Sequence, residues 1–168
     1  TQDENATLTV AGGGAPVPVA ISVAVTDDDT QAIVTNVAML TVAEDTNGTL
    51  MVSLMANPVT PTSVTIVSSD NGAASASPTT LNFNSTNWAT PQAVTVAGVD
   101  DNDTADENVT LTLSSLDAPT VMVPVTVTDP DTQALVVSGT NFTVNEQGQT
   151  TFTARLTFNP VTMTTVTI

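Results

Sequence analysis

The stretch NVTLTLSSLDAPTVMVPVTVT, residues 108–128, contains two runs in which apolar residues alternate with other residues. In the second run a valine stands at every other position from Val121 to Val127. Successive side chains of a β-strand point to opposite faces, so this alternation predicts strands that bury one face. Pro124 lies inside the second run and cannot donate a ladder hydrogen bond, which predicts an edge position or a bulge there.

Similar short runs occur throughout residues 37–97, and no segment shows a helical period. Asn-Gly at 47–48 and 71–72 and Asn-Pro at 57–58 are turn signals. Seven short strands in about 100 residues predict an all-β fold, an immunoglobulin-like Greek-key antiparallel β-sandwich. Trp88 is expected to cover one end of the core or to lie exposed in a loop. The strands are predicted at 37–43, 49–56, 62–68, 79–83, 92–97, 108–114 and 121–128.

The chain also repeats itself. Asp27 aligns with Asp129 and Ile66 with Ile168, an offset of 102 residues in each case. A period of this length indicates whole domains in tandem rather than the units of a solenoid. The matching pairs are TQDENATLTV (1–10) with TADENVTLTL (104–113), VTDDDTQAIV (25–34) with VTDPDTQALV (127–136), and LMANPVTPTSVTI (54–66) with LTFNPVTMTTVTI (156–168).

The repeat predicts three regions. Residues 1–29 are interpreted as the C-terminal strands of a preceding repeat, 30–131 as one complete repeat, and 132–168 as the N-terminal strands of a following repeat. Both ends are expected to continue into a longer polypeptide.

The charge of the chain and the residue types that it lacks exclude several classes of partner and of catalytic site. The 168-residue chain carries 17 acidic residues against one basic residue, Arg155, and its net charge is −16. Nucleic acids and anionic membranes favour basic surfaces, so neither is expected as a partner, whereas cations would be attracted. His and Cys are absent, which excludes their nucleophile pairs and metal sites. No apolar run approaches the ~20 residues of a membrane helix.

Topology predicts where the carboxylates meet. In a Greek-key sandwich of alternating strands, the first, third and fifth turns and the end of the last strand lie at one pole. Nearly all acidic residues of the complete repeat fall there, and the opposite pole has only Asp117. The residues assigned to this acidic pole are Glu44, Asp45, Asp70, Asp100, Asp101, Asp103, Asp106, Glu107, Asp129 and Asp131.

Converging carboxylates need a counter-charge, and Ca²⁺ is the expected one. Calcium takes six to eight oxygen ligands in flexible geometry, whereas Mg²⁺ requires a stricter arrangement and ranks second. The acids could instead be solvated loop residues on a soluble surface. The spacing in DDNDTADEN (100–108) does not satisfy the EF-hand pattern.

The stretch TTLNFNSTNWATPQAVTVAGVDDNDTADENVTLTL (79–113) resembles the Calx-β family and related repeats of large bacterial surface proteins. VAEDTNGTLMVSLMANP (42–58) is similar to the opening of such a repeat, and VTDDD (25–29) to its closing acidic cluster. The resemblance implies calcium at the acidic pole. The ligands that it implies are Glu44, Asp70, Asp100, Asp101, Asp129 and Asp131, with Asp27, Asp28 and Asp29 in the preceding repeat. Asp103 is a further candidate from the same loop. Two features depart from the family pattern: Pro130 interrupts the second closing cluster, and only Asp106 or Glu107 approximates the family's acidic residue late in the loop.

These features predict a calcium-stiffened structural spacer in an extracellular or cell-surface fibre or adhesin, with neighbouring repeats as partners. One alternative is a filament subunit assembled by β-strand complementation between copies. Another is a carbohydrate- or protein-binding module, although aromatic residues make up only 3% of the chain. An enzyme is not expected, because the acids crowd on loops without an aromatic platform.

Overall fold

The computed structural model describes residues 2–14 and 17–168, and the regular structure in this part of the chain is all-β. No helix long and apolar enough to cross a membrane occurs among these residues. The strands are β1 (Glu4–Val10), β2 (Val19–Val25), β3 (Ile33–Thr35), β4 (Leu40–Ala43), β5 (Asn47–Leu54), β6 (Thr62–Ser68), β7 (Ala74–Ser77), β8 (Thr80–Phe83), β9 (Gln92–Gly98), β10 (Glu107–Ser114), β11 (Val121–Thr128), β12 (Leu135–Val137) and β13 (Ala154–Leu156).

Strands β3 to β11 form two sheets that pack face to face. One sheet has the order β4-β11-β10-β6-β8 and the other β3-β5-β9-β7. Alternation along each strand places its apolar residues between the sheets, so that Leu111, Leu113 and Val127 are fully buried. The arrangement confirms the predicted immunoglobulin-like β-sandwich, and its pairs are antiparallel except for β4 with β11.

The seven-strand prediction is wrong in number, because nine strands lie between residues 33 and 128. The predicted strand 37–43 corresponds to β4 alone, which pairs with β11. Strand β3, residues 33–35, was not predicted, and it pairs with β5 in the other sheet. The chain therefore crosses between the sheets at residues 36–39. Strand β7, residues 74–77, was not predicted; its sequence ASAS lacks the large apolar residues on which the alternation signal depends.

Asn47 and Gly48 were predicted to form a turn, and this is wrong because both lie in β5. The turn falls just before them, where Asp45 adopts a positive φ of 55°. Gly48 is needed for packing: a Cβ there would lie 2.6 Å from Val42 Cγ1.

The positions of Pro124 and Trp88 in the fold agree with the predictions. Strand β4 pairs with β11 only from Val125 onward, so Pro124 has a neighbouring strand on one side, as at an edge. Trp88 packs half-buried against the core, and its carbonyl accepts a hydrogen bond from Leu54 N at 2.9 Å.

The partial repeats reproduce registers of the complete one. The β1–β2 pairing of Glu4 with Val25 corresponds to that of Glu107 with Val127 in β10–β11. The β12–β13 pairing of Leu135 with Leu156 corresponds to that of Ile33 with Leu54 in β3–β5. Residues one period apart thus have the same local partners, as expected for tandem copies.

Candidate metal centre

Glu44 follows β4 at the acidic pole and is buried, with 3% of its surface exposed. Its backbone N–H donates to Thr128 O at 3.1 Å, which fixes it beside the end of β11. The turn after it is closed by Thr46, whose hydroxyl donates to Ala43 O at 2.7 Å. Glu44 has the same alternation parity as Val42, so its side chain continues the inward face of the strand.

Gly98 allows β9 to approach Glu44 closely. A Cβ at this position would lie 2.4 Å from Ala43 O and 3.2 Å from Glu44 Cα. Both neighbours are backbone atoms, which cannot rotate away. Any side chain at position 98 must therefore displace the segment that carries Glu44.

We expect Gly98→Ala to destabilise the protein by about 1–2 kcal/mol, because overpacking against the backbone strains the core. Urea denaturation measures this cost. Gly72→Ala is the matched control, since a Cβ there would meet only side-chain atoms of Asp70. Equal midpoints for the two variants would show that the close approach at Gly98 is unimportant.

The loop after β9 supplies the next carboxylates, and its own backbone holds them in place. Asp101 Oδ1 accepts a hydrogen bond from Asp103 N at 2.7 Å, and Asp103 Oδ1 accepts one from Ala105 N at 2.8 Å. The loop is tied to the end of β11, where Asp129 N donates to Asp106 Oδ1 at 2.9 Å. Each aspartate thus keeps its second oxygen for another partner.

Two groups of carboxylates form at this pole. Ligand atoms of Glu44, Asp101 and Glu107 lie within 4.8 Å of one another, and so do those of Asp101, Asp103 and Asp129. Asp101 belongs to both groups and lies where they meet. These distances suit carboxylates around a cation, and such an oxygen-only set is what calcium prefers.

The electrostatics of these groups are unfavourable without a counter-charge. Burial, and then repulsion by Asp129, Asp101 and other acids, raises the pKa of Glu44 to about 7. Burial first, then Asp101 and Asp103, raises the pKa of Glu107. The buried atoms Glu44 Oε1, Glu107 Oε2 and Asp129 Oδ2 have no hydrogen-bond partner among the described residues. Orphaned buried oxygens of this kind are rare and costly.

The structure brings some of the predicted residues together and not others. Glu44, Asp101, Asp103 and Asp129 are in the two groups. Asp100 and Asp131 lie near them: burial, followed by repulsion from Asp129 and Asp100, raises the pKa of Asp131. Asp70 is in neither group, and its Oδ1 instead accepts a hydrogen bond from Gly72 N at 2.7 Å. Whether any of these residues binds a metal stays a prediction.

Glu107 was left out of the ligand prediction, although its side chain belongs to the first group. A signal for it exists in the sequence. Glu107 has the same parity as Val109 and Leu111, which are buried, so the alternation aims its carboxylate inward. Its position at the start of β10 then places it beside the loop acids.

The preceding repeat shows the same local geometry. Ligand atoms of Asp27, Asp28 and Asp29 lie within 4.8 Å of one another. Asp27 N donates to Asp3 Oδ1 at 2.8 Å, which reproduces the bond between Asp129 and Asp106 one period later. Hydrogen bonding from Asp29 N, at 2.8 Å, is the first cause that lowers the pKa of Asp27.

The fold and the acidic pole define an immunoglobulin-like sandwich module with a candidate cation site. No family model matches this chain, and no curated protein matches it. The Calx-β resemblance therefore remains an expectation.

Solved structures do match. Domains 4 and 5 of the S-layer protein SbsC are 26% identical, with a TM-score of 0.50, over 74% of this chain and 58% of that one. Domains 4–9 of SbsC are 26% identical, with a TM-score of 0.51, over 81% of this chain and 20% of that one. A longer form, rSbsC(31-844), is 21% identical, with a TM-score of 0.52, over 92% of this chain and 25% of that one. This chain thus spans 58% or less of each, and the likeness supports a repeat-like module of a cell-surface protein.

Proposed function

We propose that the complete repeat, residues 30–131, is a calcium-binding structural spacer of an extracellular surface protein. The observation that carries this proposal is Glu44, a buried carboxylate with an unpartnered oxygen beside Asp101 and Glu107. A buried carboxylate without a partner is strongly destabilising unless it is protonated or bound to a cation. A cation at this point would give Glu44 Oε1 the partner that it lacks.

The protein itself offers no adequate counter-charge. Arg155 is the one basic residue of the chain, and its Nη1 donates to the neighbouring Leu156 O at 3.2 Å. Oxygen ligands favour a hard cation, and loop-borne carboxylates suit the flexible geometry of Ca²⁺ better than the strict octahedron of Mg²⁺. Calcium is therefore the proposed ion, with Asp101 shared between the two carboxylate groups.

A spacer role also agrees with the remaining surface. The groove between residues 60–65 and 114–117 is lined by Ser, Thr, Pro, Leu and Asp, without an aromatic side chain. Sugar-binding sites and glycosidase clefts use aromatic platforms and flanking acids, so neither binding of glycans nor catalysis is proposed. The SbsC structures are domains of an S-layer protein, which supports a location at the cell surface.

A thermal unfolding experiment on the full chain tests the calcium site. Extracellular modules bind calcium with dissociation constants of about 10⁻⁴–10⁻³ M. At about 10 mM Ca²⁺, one such site adds roughly 1.4–2.7 kcal/mol, which raises the midpoint by several degrees. Mg²⁺ at the same concentration is the control and is expected to do less. Identical midpoints in calcium and in calcium-free buffer would refute the proposal.

Strand complementation between copies is the second candidate, and the hairpin β1–β2 has an apolar face that a strand of another copy, or of the same polypeptide, could cover. Leu8 and Ile21 are 57% and 47% exposed, whereas their equivalents Leu111 and Val123 are 0% and 1% exposed. A neighbouring strand or repeat would cover this face. Sedimentation of the purified chain tests the idea: concentration-dependent assembly that Leu8→Ser abolishes would support it, and a monomer at all concentrations would not.

A further inference from the structure

The turn of residues 158–160, here called the docking turn, contacts the loop of residues 99–106 in the complete repeat, here called the acidic loop. Asn159 N donates a hydrogen bond to Asn102 O at 2.7 Å. Asn102 stands between Asp101 and Asp103, which belong to the carboxylate groups of the candidate site. The contact therefore joins the region that follows residue 131 to the backbone that holds the predicted ligands.

The docking turn is held from a second side by Gln133. The Gln133 side-chain Nε2 donates to Phe158 O at 3.0 Å, and its Oε1 accepts from Phe158 N at 3.1 Å. Residues 129–134 between β11 and β12 are here called the connecting segment. Within it, Gln133 follows Asp131 by two residues and Asp129 by four. The acidic loop, the docking turn and the connecting segment thus form a closed ring of contacts around the pole.

The two hydrogen-bonded contacts of the docking turn differ in whether they recur in each repeat. In the complete repeat, Gln31 makes the same pair of bonds to Ala56, at 2.8 Å and 3.1 Å, so the glutamine tie is a feature of each repeat. The bond between Asn159 and Asn102 instead joins residues on opposite sides of the connecting segment. It links the region after residue 131 directly to the acidic loop of the complete repeat.

We propose that the docking turn and the cation site are coupled: the docked turn strengthens cation binding, and a bound cation tightens docking. This inference rests on the proposed function. Without a cation, repulsion among Asp101, Asp103 and Asp129 loosens the loop whose carbonyl Asn159 must reach. With a cation, the Asp101 and Asp103 carboxylates hold Asn102 in place. Coupling between two binding events is reciprocal, so each stabilises the other.

Asn159→Pro tests the coupling, because proline removes the donor N–H while Asn102 and every carboxylate remain. Asn57→Pro is the matched control: Asn57 is the equivalent residue of the complete repeat, and its N–H makes none of the hydrogen bonds found among residues 2–14 and 17–168. Isothermal titration of the full chain with Ca²⁺ is expected to show about two- to tenfold weaker binding for Asn159→Pro, the range of one net hydrogen bond. Asn57→Pro is expected to bind as the unaltered protein does.

Spin-label distances give a second readout that does not depend on affinity. The chain has no cysteine, so Met122→Cys and Val136→Cys introduce labels at exposed positions on either side of the connecting segment. We expect a narrow distance distribution that calcium narrows further, and a broader one in Asn159→Pro under both conditions. Unchanged affinity and an unchanged distribution in Asn159→Pro would overturn the inference.

The two proposals fail in different ways. If the unaltered chain binds no Ca²⁺, the proposed function and the coupling are both refuted, and the distances in calcium-free buffer still decide whether the turn docks. If the chain binds Ca²⁺ but Asn159→Pro matches Asn57→Pro in both measurements, the calcium site stands and the docking turn has no role in it.

Discussion

Replacing Glu44 by glutamine is expected to stabilise the calcium-free protein at pH 8 and to reduce the stabilisation by calcium. At pH 8 the buried Glu44 is ionised, although burial and neighbouring acids raise its pKa to about 7 from its ordinary value of 4.5. A shift of this size corresponds to about 3 kcal/mol of stability lost on ionisation. Glutamine has nearly the same shape without the charge, and its amide can donate to nearby carboxylates.

In about 10 mM Ca²⁺ the difference in stability between the two proteins becomes smaller. The glutamine variant lacks one anionic ligand, so it gains less from the ion than the unaltered protein does. Denaturant midpoints of both proteins, measured with and without calcium, show how much stability each one gains from the ion. Asp117→Asn is the control, because this exposed acid lies at the opposite pole and its charge is screened from the site. A variant less stable than the unaltered protein in calcium-free buffer at pH 8 would contradict the account of Glu44.

The calcium-free protein is also expected to lose stability as the pH rises from 5 to 8. The folded-state pKa of Glu44 is raised to about 7, so between 4.5 and 7 the folded protein keeps a proton that the unfolded chain has released. Stability is therefore fully present below the unfolded pKa and is lost as the pH rises through the folded one, by about 3 kcal/mol. Glu107 and Asp131, whose pKa values are also raised, act in the same direction.

Calcium is expected to abolish this fall, because the ion binds the ionised carboxylates and competes with protons. Asp27 acts in the opposite sense. Its lowered pKa gives stability that is present above the ordinary pKa of 3.8 and is lost as the pH falls through the folded-state pKa. The pH range over which Asp27 titrates lies below that of Glu44, so a pH series distinguishes the two effects. Urea midpoints from pH 5 to pH 8 measure the effect, and Glu44→Gln, which keeps only the contributions of Glu107 and Asp131, is the reference. A constant or rising midpoint in calcium-free buffer would show that Glu44 is not protonated in the folded state at pH 5.

Much of the architecture could be predicted because its signals are local. The valines from Val121 to Val127 alternate with period two, and the structure buries Val123, Val125 and Val127. The wrong predictions concern a strand in which the alternation is weak and an Asn-Gly pair that lies in a strand instead of a turn. Strand β7 has small side chains, and Gly48 serves a close approach to Val42 rather than the turn that Asn-Gly predicted.

Sequence by itself determined that this chain is made of strands in tandem copies and that its acids fall in turns, because alternation and the offset of 102 residues are properties of the linear chain. Only the tertiary structure decided which carboxylates meet. It buried Glu44 beside Gly98, brought Asp101 and Glu107 to it, and left Asp70 to cap its own turn. The reason is physical: period two assigns each side chain to a face, but contacts at a pole depend on registers and loop paths between segments distant in sequence.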